Sequence, residues 1–123
     1  MIKVLSFFKR NPKLTHEEFR EYYENTHSKL FEKYLAKPGI ERYFRRYLKP
    51  VPDSITGEIR DTGFDVVMEV WLSDPNWYDN FDQEFRDFIA EDEEHLFDRK
   101  NMYFHMVDEF ESDLPEIRER YAA

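Results

Sequence analysis

Residues 2–10 read Ile2-Lys3-Val4-Leu5-Ser6-Phe7-Phe8-Lys9-Arg10. The segment is β-branched and aromatic, which fits a strand. Successive side chains of a strand point to opposite faces. Ile2, Val4 and Phe8 fall on one face, and Leu5 and Phe7 on the other. Both faces are apolar, as in a strand covered on two sides. Asn11-Pro12 ends it.

The elements that follow supply cover for one of those faces. Thr15 and Glu18 form a capping-box pattern that predicts a helix start, and Glu17 and Glu18 suit its positive end. Phe19, Tyr23, Thr26 or His27, Leu30 and Tyr34 recur at helical spacing as one apolar stripe. Lys37-Pro38-Gly39 stops the helix. Residues 40–49 alternate as a second, charged strand, and residues 50–63, with two Pro and two Gly, read as one long loop. Phe64–Leu72 is a third strand, with Phe64, Val66, Met68, Val70 and Leu72 on one face and Asp65, Val67, Glu69 and Trp71 on the other. Asp74-Pro75 opens a second helix, with Asp74 as its cap and Trp77, Phe81, Phe85, Phe88 and Ile89 as its buried stripe. A short acidic segment, residues 91–98, follows, then a fourth strand over 101–110. Residues 1–112 read as one α+β domain, and 113–123 as a C-terminal tail or short helix.

The order β-α-β-β-α-β is the ferredoxin-like arrangement. Two helices cover only one face of its four-stranded sheet. The second apolar face of the first strand therefore needs another partner, and a second copy of the chain is the simplest one. Two such sheets face to face make a dimeric α+β barrel, with a pocket between each sheet and its loops.

Composition narrows the partners. Twelve Phe, eight Tyr and two Trp outnumber the twenty Ile, Leu and Val, so the core is strongly aromatic. That apolar content sets the chain apart from disordered sequences despite a mean hydropathy of −0.84. A net charge of −9 argues against nucleic acid and against an anionic membrane surface. The absence of cysteine excludes disulfides and thiol nucleophiles. No apolar run is long enough to span a membrane, and the strand pattern begins at the first residues, so a cytoplasmic location is expected. Gly39, Gly57 and Gly63 make no phosphate loop, and no serine sits in a nucleophile elbow. His95 lies among acidic residues but lacks any metal-binding spacing, so neither a metal nor a cofactor is expected.

At this point the sequence resembles the EthD-domain family. The residues that carry the likeness are Lys9-Arg10-Asn11-Pro12 with Leu14, the Glu18-Phe19 pair, and Tyr23 followed by His27. Tyr43 after Gly39, Glu69-Val70-Trp71, the stretch from Asp92-Glu93 to Phe97-Asp98, and Glu109 fit its later parts. The likeness spans about residues 2–110. It implies a homodimeric α+β barrel and, in some relatives, cofactor-independent chemistry. The wider superfamily includes polyketide cyclases, dehydratases, decarboxylases, muconolactone isomerases and cofactor-free monooxygenases. Tyr23 stands where the family usually has Trp, which alters the size and polarity of the pocket wall.

The candidate catalytic residues are His27, His105 and Glu69. His27 shares the helix face of Tyr23 and is suited to proton transfer near neutral pH; a core histidine satisfied by a carbonyl or carboxylate has the same pattern. His105 shares a strand face with Tyr103, Val107 and Glu109, while Phe104, Met106 and Phe110 face the helices. His105 is thereby expected in the barrel interior, as an acid–base group or as part of the dimer interface. Glu69 and Asp65, beside Trp71, are expected there too, orienting a histidine or pairing with Arg42, Arg45 or Arg46. Tyr23, Tyr43, Asp65, Trp71 and Tyr103 are the candidate substrate-binding residues. An aromatic pocket with few polar groups suits a mostly apolar or aromatic small molecule. The leading expectation is a small cofactor-independent lyase or isomerase that works by proton transfer on an aromatic or polyketide-like substrate. The alternatives are a non-catalytic ligand-binding or accessory dimer, and a cofactor-free or haem-binding oxygenase relative with His27 or His105 as axial ligand.

Overall fold

The computed structural model describes residues 1–122. Strand β1 (Ile2–Arg10) leads into helix α1 (His16–Tyr22), capped by Thr15 and Glu18 in the reciprocal box the sequence predicts. The helix does not then run straight to Gly39. It widens into a π-helical turn over Tyr23–His27, tightens into a 3-10 turn over Ser28–Phe31, and ends as the single turn α2 (Glu32–Leu35). Strands β2 (Ile40–Tyr47) and β3 (Val66–Leu72) follow, separated by the predicted exposed loop. A 3-10 turn (Trp77–Asn80) precedes α3 (Gln83–Leu96), and β4 (Phe97–Met106) and α4 (Leu114–Arg120) complete the chain.

The strands form one sheet in the order β2-β3-β1-β4, with every neighbouring pair antiparallel. This is the ferredoxin-like topology, with the two strands of apolar composition, β1 and β3, at its centre. Register fixes the two faces. Val4 opposite Val70 and Met106, and Phe8 opposite Val66 and Met102, lie on the helix side. Leu5 opposite Glu69 and His105, and Phe7 opposite Val67 and Tyr103, lie on the open side. The core sits on the helix side in two clusters. One gathers Phe8, Phe19, Tyr23, Val66, Leu96 and Phe97, and the other Tyr34, Val70, Leu72, Trp77, Phe85 and Ile89.

Several local expectations are corrected. Asp74 caps only the turn before Trp77, by accepting from Asn76 N; the cap of α3 is Asp82, which accepts from Phe85 N at 2.7 Å. Phe88 falls off the buried stripe and is 51% exposed. The acidic segment divides between the end of α3, at Leu96, and the start of β4, which begins at Phe97 rather than at residue 101 because Leu96 and Phe97 are core residues. Phe104 and Met106 have the expected parity but are largely exposed, and Phe110 lies beyond the strand, 99% exposed. Strand β3 begins two residues late. The alternation breaks before Val66, so Phe64 turns to the open face, where its ring meets Phe7 and Tyr103 at 5.7 Å.

Candidate functional site

The irregular stretch between α1 and α2 places His27. Glu24, inside the π-turn, accepts from Arg45 Nε at 2.8 Å, from Arg45 Nη2 at 2.6 Å and from Tyr47 Oη at 2.6 Å. This bidentate grip ties the turn to β2. Ser28 Oγ donates to the Glu24 carbonyl at 2.9 Å. Tyr23 and His27 consequently both face inward, 1% and 2% exposed, with their rings edge to face at 5.3 Å. π-turns inside helices often mark functional positions.

The partner of His27 comes from α3. Asp92 Oδ2 lies 2.6 Å from His27 Nδ1, and Asp92 Oδ1 accepts from Tyr22 Oη at 2.5 Å. An ionised carboxylate only accepts, so Nδ1 carries the proton in this pair and Nε2 keeps its lone pair. Among the described residues Nε2 has no protein hydrogen-bond partner. Burial lowers the His27 pKa from its ordinary 6.5, and Asp92 opposes that shift. The Tyr22 phenol, desolvated and facing Asp92, is pushed up to about 12.

His27 forms part of the wall of a cavity of about 460 Å³ between the sheet and the helices. Phe8, Met68 and Val70 form its floor, Phe31, Phe81 and Ile89 its sides. Tyr23, Tyr43, Trp77, Tyr78, Arg86, Glu93 and Arg99 supply its polar atoms. Burial holds the Tyr23 and Tyr43 phenols above the ordinary tyrosine range, so both remain hydroxyl donors. The two phenols are neighbours but do not meet at hydrogen-bond geometry, which leaves Tyr43 Oη, like Trp77 Nε1, buried without a protein partner. Burial raises the pKa of Glu93 despite its pairing with Arg99.

The predicted site residues separate into three places. His27, Tyr23 and Tyr43 come together at the cavity. Glu69, Trp71, Tyr103 and His105 lie on the opposite, open face. There Glu69 accepts from Trp71 Nε1 at 2.7 Å and sits 3.6 Å from Arg46. The His105 ring stands edge to face with Phe7 at 5.9 Å. Asp65 joins neither group, contrary to its predicted parity. It precedes β3 and accepts from Arg10 N at 2.8 Å, with His16 Nδ1 at 3.1 Å, where the chain passes from β1 to α1. The cavity found within one chain thus lies on the helix side, not on the face where the barrel interior was expected. Alternation tells which face a residue occupies, but not how fully the helices fill the space above it.

Sequence reasoning missed Asp92, Glu93, Arg86 and Arg99. A signal for Asp92 was present. Phe85, Ile89, Asp92 and Leu96 follow helical spacing, so a carboxylate stands on the buried stripe of α3. Its acidic neighbours masked it as part of a solvated run.

No curated protein matches the sequence. Among solved structures, the chain is similar to an EthD-family protein from Bacillus halodurans C-125, with a TM-score of 0.59 and 19% identity, covering 89% of this chain and 99% of that one. It is also similar to PA3566 from Pseudomonas aeruginosa, with a TM-score of 0.51 and 15% identity over 89% and 94% of the two chains. At these identities the likeness concerns the fold. Residues 11–100, which run from the end of β1 through His27 and Asp92 into β4, match the EthD domain, and the chain belongs to the EthD domain family.

Proposed function

We propose that the helix-side cavity is an active site for cofactor-independent proton transfer, of the lyase or isomerase type, on a mostly apolar, aromatic or polyketide-like substrate. The observation that carries this reading is the His27–Asp92 pair set in the wall of an aromatic cavity. Nε2 of neutral His27 takes a proton from an acidic C–H or O–H of the substrate. Asp92 stabilises the imidazolium that forms, and the same proton then returns to a leaving hydroxyl or to another carbon. Tyr23 and Tyr43, held as neutral phenols, donate to substrate oxygen. Dehydration, cyclisation, decarboxylation and double-bond isomerisation all run on such a proton shuttle.

Incubation of aromatic ketones and β-keto acids in D2O, followed by proton NMR, tests this directly. Enzyme-dependent exchange or conversion that vanishes in His27→Ala supports the reading. Exchange that persists in His27→Ala removes it. Saturable binding with no exchange on any member of the panel supports the alternative, a non-catalytic ligand-binding protein.

The open face of the sheet belongs to assembly in this reading. Phe7, Phe44, Phe64, Trp71 and Tyr103 form an aromatic surface that the helices cannot reach, and a second copy of the chain covers it. Glu69 and His105 then act at that interface rather than in the proton transfer. Among the described residues no helix is long and apolar enough to cross a membrane, and a cytoplasmic homodimer is the setting we propose.

A further inference from the structure

The cavity wall holds two arginines against one carboxylate in a chain of net charge −9. Arg99 is paired with Glu93. Arg86 is not paired: among the described residues no carboxylate lies within 4.0 Å of it, although acidic residues surround it in sequence. Two backbone carbonyls tether its guanidinium instead. Nε donates to Phe81 O and Nη2 to Tyr78 O, each at 3.1 Å. These bonds fix the plane of the group beside the aromatic wall of Trp77, Tyr78 and Phe81 and leave Nη1 uncommitted. A preorganised guanidinium with free N–H groups, at the edge of an apolar cavity, is built for a planar oxyanion.

We infer that Arg86 is the recognition site for a carboxylate on the substrate, so that the cavity takes bulky apolar or aromatic carboxylic acids in preference to their neutral analogues. This rests on the cavity being the binding site and names the class of molecule it holds. The apolar part lies against Phe31, Phe81 and Ile89, and the carboxylate stays at the rim, where its desolvation cost is smaller. The tether to Phe81 and Tyr78 also braces the turn before α3, so a purely structural role for Arg86 has to be separated by experiment.

Isothermal titration with 2-naphthoate and with methyl 2-naphthoate makes that separation. The wild type should bind the acid about tenfold more tightly than the ester, a charge-assisted advantage that shrinks as salt is raised. Arg86→Gln should bring acid affinity down to that of the ester and leave the ester unchanged. Arg86→Lys, which keeps the charge but loses the fork, should retain part of the preference. Equal binding of acid and ester by the wild type overturns the inference, as does failure of both to bind. Equal loss of both in Arg86→Gln, with a lowered melting temperature, also overturns it and makes Arg86 a brace alone. If Arg86→Gln does not fold, the Lys variant and the salt dependence of the wild type decide. Titration reads binding without turnover. An acid preference with no deuterium exchange would therefore refute the proton-transfer reading alone, and exchange without an acid preference would refute this inference alone.

Discussion

The helix-covered face and the open face of the sheet are both aromatic, yet they handle polarity differently. On the covered face the rings pack closely, with Tyr34 and Phe85 at 4.1 Å and Phe81 and Phe85 at 4.9 Å. Some polar groups there are held in specific pairs, His27 with Asp92 and Glu24 with Arg45 and Tyr47, while Tyr43 Oη and Trp77 Nε1 stay buried without a protein partner. On the open face the nearest ring centroids are 5.7 Å apart, and cations lie over the rings, as they also do over Tyr34, Tyr43 and Tyr47 on the covered side. Lys3 Nζ is 3.8 Å from the Trp71 ring centroid, and the Arg46 guanidinium is 4.4 Å from that of Phe44. A buried charge must be satisfied within the fold, whereas a cation over a ring at the surface can exchange water for a partner. The closed face is thus suited to hold one small molecule, and the open face to meet another sheet.

Mutations at the two faces should therefore have separable effects. The largest is expected at His27. His27→Ala should lower turnover by about 10² to 10⁴-fold, the usual cost of losing an acid–base group, while light scattering still gives the wild-type mass. If turnover per folded molecule is unchanged, the closed face has no chemical role. Phe7→Asp should do the converse. It places a charge at the centre of the open face and should reduce the mass from twice 15.2 kDa to 15.2 kDa. A wild-type chain that is already monomeric would remove the proposed role of this face.

Asp92→Asn tests the pair itself. It should lower turnover by about 10²-fold. It should also move the acidic limb of the pH–rate profile lower, because Asp92 is the group that raises the His27 pKa against the effect of burial. The sign for stability follows from the same shift. With the native pKa below 6.5, the unfolded chain binds the proton first as pH falls. His27 therefore contributes stability above that value and loses it below. The melting temperature of the wild type should drop below pH 6.5, and more steeply than that of His27→Gln; parallel curves would contradict the shift.

The smallest effect is expected at Glu69. Its partner Arg46 is 53% exposed and 3.6 Å away, so Glu69→Gln should cost at most about 1 kcal/mol in chemical denaturation. It should leave the pH dependence of turnover unmoved. A shifted profile would bring Glu69 back into the chemistry and blur the division between the faces.

Much of the architecture was legible because burial imposes simple periods. The alternation of Val66, Met68, Val70 and Leu72 against Val67, Glu69 and Trp71 gave the faces of β3 correctly, and Thr15 with Glu18 announced the start of α1. The end of that alternation was not legible. Phe64 and Asp65 continue the pattern in sequence, but the long loop enters the sheet late, turning Phe64 to the open face and taking Asp65 to the passage from β1 to α1. His27 and Tyr23 could be paired from their spacing, since a stripe of rings containing one histidine is unusual. Asp92 could not be paired with them, because it lies 65 residues away and only the packing of α3 on the π-turn brings the two together. The cavity was illegible for a similar reason: its volume depends on how far the irregular helix stands from the sheet, and no residue spacing encodes that distance.

A crystal structure grown with 2-naphthoate tests the assignment of the two faces most directly. The ligand should lie in the helix-side cavity, with its ring against Phe31 and Phe81, within reach of His27 Nε2, and its carboxylate on Arg86. Ligand density found instead on the open face, among Trp71, Tyr103 and His105, with the helix-side cavity empty, would contradict it.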